Sequence, residues 1–180
     1  SPMRICKSTK SKNMRVFLFV LALLLNTWVG ISQSADEKKL EEDLFGLPDV
    51  SFTKISAANE LPIKYMLRIK QPLDHKDRSK GEFYQRVILT HQGYQQPTLM
   101  QTQGYELYKG KNELEAALKA NHLNIEHRYF GESVPDSIQW QYLTLEQVTA
   151  DLHKINQLFK PIYKNKWIST GISKGGQTTI

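Results

Sequence analysis

One cysteine occurs in the chain, Cys6, and none follows it. The residues beyond it therefore form no intramolecular disulfide, and a disulfide-stapled fold is excluded. Acid is absent from residues 1–35, which hold Arg4, Lys7, Lys10, Lys12 and Arg15. A long apolar run is missing as well: Val16–Leu25 (VFLFVLALLL) is stopped by Asn26 and Thr27, short of the roughly 20 residues a membrane-spanning helix needs. Nor does the body of the chain carry a basic surplus. The total is 24 basic against 18 acidic residues, a formal charge of +6, but removing the five basic residues above leaves 19 against 18. A nucleic-acid binder carries its excess on the folded domain, so the balance argues for no nucleic acid among the partners.

What is present begins with a leader. A basic stretch to Arg15, the apolar run and a more polar tail (NTWVGISQSADE) follow the layout of a secretory signal peptide. Met14 is a candidate initiator, and Ser32, Ser34 and Ala35 are small residues that suit cleavage. Cys6 precedes the apolar run, whereas a lipid-attachment cysteine would follow it. Residues 1–35 are thus expected to be a signal peptide. The mature protein is expected to be secreted or periplasmic, with no stable membrane anchor after cleavage. An uncleaved signal anchor is the alternative reading of the same run.

Residues 36–61 read as an exposed N-terminal extension, acidic, broken by Gly46 and Pro48, with one helical turn. From Ile63 the pattern changes. Ile63, Tyr65, Leu67 and Ile69 alternate with Lys64, Met66, Arg68 and Lys70, the two-residue period of a half-buried strand ended by Pro72. Asp74–Gly81 is a charged loop. Glu82–Thr90 (EFYQRVILT) is rich in aromatic and β-branched residues, as strands are. His91–Gln96 has turn chemistry and Pro97–Thr102 is extended again, so the pair is predicted to be a hairpin. Asn112 with Glu115 forms a helix-start box before ELEAALKA, with Asn121 as the stop. Leu123–Tyr129 reads as a strand, and Gly131, Pro135 and Asp136 mark a long loop. A second box, Thr144 with Gln147, opens a helix to about Tyr163, with Leu145, Val148, Leu152, Ile155, Phe159 and Ile162 on one face. Asn165 breaks it, and Trp167–Thr170 is a short strand. This alternation implies an α/β fold, a mostly parallel sheet with helices on both faces and an antiparallel N-terminal hairpin, over residues 62–180.

The last strand runs into Gly171-Ile172-Ser173-Lys174-Gly175-Gly176, a Gly-x-Ser-x-Gly sequence. A nucleophile on a sharp strand-to-helix turn needs strained backbone, and Gly171, Gly175 and Gly176 remove side chains that would collide there. The following helix is expected to turn its N-terminal N–H groups toward developing negative charge. The competing reading is a tight turn whose serine only caps a helix. A phosphate-binding loop is excluded: glycines at 171 and 176 have the right spacing, but Gln177 stands where that loop needs lysine. An oxyanion would take one N–H from Lys174 and a second from an earlier loop. Gln92-Gly93-Tyr94 and Gln103-Gly104-Tyr105 both qualify. Gly104 and Tyr105 are favoured because they end the arm leading into the next helix. No acid and no histidine follows Ser173, although this fold orders its partners after the nucleophile. Among His75, His91, His122, His127 and His153, His153 is read as solvated and His127 as structural within its strand.

Several blocks occur in order: Gln71-Pro72-Leu73-Asp74-His75, Phe83-Tyr84-Gln85-Arg86-Val87, Glu126-His127-Arg128-Tyr129-Phe130-Gly131-Glu132-Ser133-Val134-Pro135, Tyr142-Leu143-Thr144, Asp151-Leu152 and the serine turn. Over roughly residues 62–178 the chain resembles the secreted bacterial tripeptidyl aminopeptidase family of serine peptidases. It is similar, more distantly, to the lysosomal Pro-Xaa carboxypeptidase and dipeptidyl peptidase family, which usually carries tyrosine where Lys174 stands. The resemblance implies the N-terminal portion of an α/β-hydrolase fold. It also implies Ser173 as acylated nucleophile, Glu126–Pro135 as the site rim, and a downstream helical insertion, Asp and His. The expected activity is a serine exopeptidase releasing short N-terminal peptides, with peptide substrates and no cofactor or metal. The chain itself is expected to be an incomplete, inactive N-terminal fragment cut after the nucleophile. A secreted esterase or lipase on the same fold, and an inactive peptide-binding remnant, are the alternatives.

Overall fold

The computed structural model describes residues 35–57, 60–108, 110 and 112–179, so the signal-peptide reading and Cys6 fall outside the described residues. Two compact units divide at Glu41/Glu42. The described part of the first, residues 35–41, is helical, and the helix α1 (35–45) ends in the second. The remainder of the second unit is one mixed sheet with its covering helices. No helix among the described residues is long and apolar enough to cross a membrane.

The sheet is built from β1 (Val50–Lys54), β2 (Ile63–Pro72), β3 (Glu82–His91), β4 (Thr98–Thr102), β5 (Asn121–Ile125) and β6 (Trp167–Gly171), in the order β1-β2-β3-β5-β4-β6. β1, β2, β3 and β5 pair antiparallel, from Phe52 opposite Leu67 to Leu89 opposite Leu123. β4 pairs parallel with β5 on one side and with β6 on the other. Alternation along β2 sets the burial: Ile63, Tyr65, Leu67 and Ile69 are buried, as their two-residue period requires. β4 and β5 are buried at every position, the mark of strands inside a sheet covered on both faces.

Three local expectations need correction. β3 and β4 are not a hairpin, because β5 lies between them; the turn at 91–96 carries the chain past the place β5 will fill. Residues 36–50 hold more than one helical turn, and Val50–Lys54 adds an edge strand that the acidic composition conceals. The strand expected over 123–129 ends at Ile125, since Tyr129 adopts a left-handed backbone (φ 68°) and its N–H turns to Ser133 O.

The helices α2 (Glu113–Leu118) and α3 (Leu145–Phe159) start where the boxes place them. Asn112 Oδ1 accepts from Glu115 N–H at 3.0 Å and Thr144 Oγ1 from Gln147 N–H at 3.3 Å. Neither box closes from the other side. Glu115 instead meets His122 Nδ1 at 2.6 Å, and Gln147 donates to Asp74 at 2.8 Å. α2 stops at Lys119, in left-handed backbone, before Asn121. α3 buries Val148, Leu152, Ile155 and Phe159, but Leu145 is 57% exposed and the helix ends before Ile162. From β4 the chain crosses to β5 on one side, and from β5 it crosses back to β6 on the other. Right-handed crossovers in opposite directions put α2 and α3 on opposite faces, and β4 is the point where the order reverses.

Beneath the loops lies a buried ion pair. Arg128 Nε and Nη2 each donate to Asp151 at 2.7 Å, and neither side chain is exposed. Nη1 donates to Leu73 O and Tyr142 O, and Nη2 also to Pro72 O. All five guanidinium N–H groups are thereby used. His75 Nε2 sits 2.7 Å from Asp151 Oδ1. The end of β2, the long loop and α3 are joined at this one residue.

Candidate functional site

Parallel pairing aligns the carboxyl ends of three strands: Thr102 lies opposite both Ile125 and Gly171. The segments that follow, 103–108, 126–144 and 172–179, therefore emerge at one edge of the sheet, beside the strand-order reversal at β4. Open α/β sheets form their ligand crevices there.

β6 passes into a 3-10 turn, Ser173–Thr178, with Ser173 at φ 54°. Left-handed backbone at a serine is strained. It turns the side chain out of the chain path, and Ser173 is exposed. The neighbours make this turn affordable only with glycine. A Cβ on Gly171 would overlap the Gly175 carbonyl and come 2.7 Å from Thr102 Oγ1, and one on Gly175 would overlap the Thr102 carbonyl oxygen. A Cβ on Gly176 would stand 3.1 Å from Gly171 O. Thr102 Oγ1 (2.6 Å), Thr178 Oγ1 (2.8 Å) and Thr179 Oγ1 (3.1 Å) all donate to Gly175 O. This hydroxyl clamp ties the turn to the end of β4. The α-helix expected after Ser173 is absent over 173–178, where a six-residue 3-10 turn takes its place.

Gly104 and Tyr105 face that turn. A Cβ on Gly104 would lie 2.8 Å from Lys174 Cβ and 3.0 Å from Gly175 N. Among the described residues no acceptor takes the Gly104 or Tyr105 N–H. Gly93 is at the opposite end of the sheet, where its N–H donates to Asn121 Oδ1 at the start of β5. A cleft of about 780 Å³ is bounded by Gly104, Tyr105, Leu107, Leu114, Ile172 and Ser173.

Lys174 reaches two rings, its Nζ 4.3 Å from the Phe130 centroid and 5.1 Å from that of Tyr105. Partial burial there lowers its pKa from the ordinary lysine value. Phe130 also packs at right angles to the rings of Tyr105 and His127. The rim segment Glu126–Pro135 thus touches the serine turn through Lys174. His127 is buried, not in a strand, and its Nδ1 lies 2.8 Å from Arg128 O. Burial lowers its pKa, and the Lys174 charge acts the same way against that hydrogen bond. His75, His91 and His122 are engaged with Asp151, Tyr163 and Glu115 respectively, and His153 is exposed. Among the described residues no hydrogen bond joins Ser173 to a histidine.

Two features of the site had no signal in the sequence. The hydroxyl clamp depends on β4 lying beside β6, a pairing no local pattern announces. The second is the contact of Glu126, placed on the rim by resemblance, with the Leu107 N–H; its carboxylate is fully buried. Burial pushes its pKa up, but hydrogen bonds from Arg86, Ser133 and the Leu107 N–H outweigh that and hold it below the usual glutamate value.

A family model described as PS-10 peptidase S37 matches residues 36–180. A prolyl tri/tetrapeptidyl aminopeptidase from Streptomyces mobaraensis is 30% identical over 153 residues, covering 82% of this chain and 31% of that protein. The chain therefore spans about a third of this relative's length. Among solved structures, acetyl xylan esterase 1 from Thermoanaerobacterium superposes with a TM-score of 0.51 at 11% identity, over 79% of this chain and 52% of that one. That likeness is one of fold.

Proposed function

Because the chain belongs to the PS-10 peptidase S37 family, we propose that its serine turn is the nucleophilic centre of an exopeptidase that removes short peptides from free N-termini. The observation that carries this reading is the strained, exposed Ser173 across one cleft from two N–H groups that no described residue accepts. Ser173 Oγ attacks the peptide carbonyl carbon while its proton passes to a histidine of the complete protein that is not among the five in these 180 residues. The carbonyl oxygen, now anionic, takes hydrogen bonds from the backbone of Lys174 and of Gly104 or Tyr105. The C–N bond breaks as the proton moves to the leaving amine, and water then releases the acyl group from Ser173. Peptide substrates are supported by the family and by the aminopeptidase relative, and export by the composition of residues 1–35.

The complete protein should release tripeptides from an unblocked peptide and lose this activity when the same peptide is N-acetylated. Mass spectrometry of the products decides it: equal cleavage of both peptides, or hydrolysis of acyl esters alone, overturns the exopeptidase reading.

Gly104→Ala is a second expected outcome. The new methyl group must push loop 103–108 away from Lys174 and Gly175, and losing one oxyanion donor costs about 10²–10³ in kcat. Turnover should fall on that scale with KM little changed. A variant of undiminished kcat would remove Gly104 from the oxyanion contact.

A further inference from the structure

Loop 103–108 has no regular structure, yet the chemistry proposed for Ser173 requires its backbone to hold still. The ties that fix it come from the end of β5 and the residues just beyond. Gln103 N–H donates to Ile125 O at 3.0 Å, His127 N–H to Tyr105 O at 3.0 Å, and Leu107 N–H to Glu126 Oε1 at 3.1 Å. The N–H groups of 103 and 107 are thus occupied, while those of Gly104, Tyr105 and Glu106 between them have no acceptor among the described residues.

Two side chains add to these ties: Asn124 Nδ2 donates to Tyr108 O at 3.0 Å while its Oδ1 accepts from Gln103 Nε2 at 2.6 Å, and Glu126 is the charged one, holding the Leu107 N–H. Its Oε1 also accepts from Arg86 Nη2 at 2.7 Å. Its Oε2 accepts from Arg86 Nε at 2.9 Å, Ser133 Oγ at 2.6 Å and Glu132 N–H at 3.2 Å. Gly131 passes so close, at φ 57°, that a Cβ there would overlap the carboxylate. Five donors on two oxygens make an anchor that cannot rotate, and a carboxamide cannot replace it, because its NH₂ would face donors on either side.

We propose that Glu126 is a positioning residue that holds the Gly104-Tyr105 backbone opposite Ser173 by gripping the Leu107 N–H. It touches no reacting atom. This rests on the reading of Ser173 as nucleophile. Freed from Glu126, the loop keeps its substrate-binding side chains but loses the fixed direction of its donors, so the loss falls on the transition state and not on substrate binding.

The test compares Glu126→Gln and Ser173→Ala in the complete protein, with a tripeptide amide substrate and the matching peptide aldehyde. The aldehyde adds to a serine hydroxyl and presents an oxyanion, which the substrate in its ground state does not. For Glu126→Gln, kcat should fall about 10- to 100-fold with KM within about threefold, and aldehyde affinity should fall in parallel with kcat. A rise in KM at constant kcat, or unchanged aldehyde affinity, overturns the proposal while leaving Ser173 in place. Undiminished turnover in Ser173→Ala overturns the underlying reading and this one with it. Should Glu126→Gln not fold, hydrogen exchange in the unaltered protein decides: the Leu107 amide should exchange slowly, and exchange at the rate of an exposed loop overturns the grip.

Discussion

Ser173→Ala is expected to lower peptide turnover in the complete enzyme about 10⁶-fold, the scale on which removal of a nucleophile acts when catalytic groups work as a unit. The oxyanion donors and the cleft remain, so KM should hardly move and a residual rate above water should persist. The alanine keeps the Cβ, and with it the strain of left-handed backbone at φ 54°. Ser173→Gly should therefore be equally inactive yet more stable by about 1 kcal/mol, because glycine adopts that backbone without penalty. Activity assays with a fluorophosphonate label, paired with denaturation curves, check both halves. Labelling that survives in the alanine variant would end the assignment of Ser173.

Arg128→Met is expected to produce the largest loss of stability. The methionine fills much of the volume, but it leaves the Asp151 carboxylate buried with His75 as its only described side-chain partner. It also strips donors from the carbonyls of Pro72, Leu73 and Tyr142. Breaking one side of a buried pair costs about 3–5 kcal/mol, a large share of the roughly 5–15 kcal/mol that holds a domain folded. Arg128→Lys should recover little, since a single ammonium cannot span Asp151 and three carbonyls together. The double variant Arg128→Met/Asp151→Leu should regain part of the loss, because it removes the stranded charge, though not all of it, because the three carbonyls stay unpaired. Chemical denaturation of the four proteins measures this. A single-variant loss under about 1 kcal/mol would show that the pair is replaceable by packing alone.

How far the fold could be read beforehand depended on how local its cause was. The starts of α2 and α3 lie in four-residue boxes, the burial of β2 in a two-residue period, and the serine turn in six consecutive residues. Each was legible. The hairpin expectation failed because residues 82–102 carry true turn chemistry at 91–96, whereas the strand that separates the two arms arrives some twenty residues later. His127 kept the alternation of a strand although Tyr129, with its left-handed backbone, had already turned the chain. At the site, Ser173 and its glycines announced themselves. The grip of Glu126 on Leu107 and the reach of the Thr102 hydroxyl to Gly175 did not, because they join segments 19 and 73 residues apart.

The place of β4 has a consequence for how the polypeptide is made. Synthesis delivers β1, β2 and β3 first, and their ladders can close across short connections while later residues are still in the ribosome. β4 emerges next with no neighbour, since β3 pairs with β5 and both partners of β4 lie further along: Thr98 meets first Asn121 and only later Trp167. Until residue 125 has emerged, Leu99 and Met100 project from an unpaired strand beside a finished ribbon, and its second edge stays open until residue 171. The newborn chain therefore carries a five-residue strand with an unpaired edge through about seventy further additions.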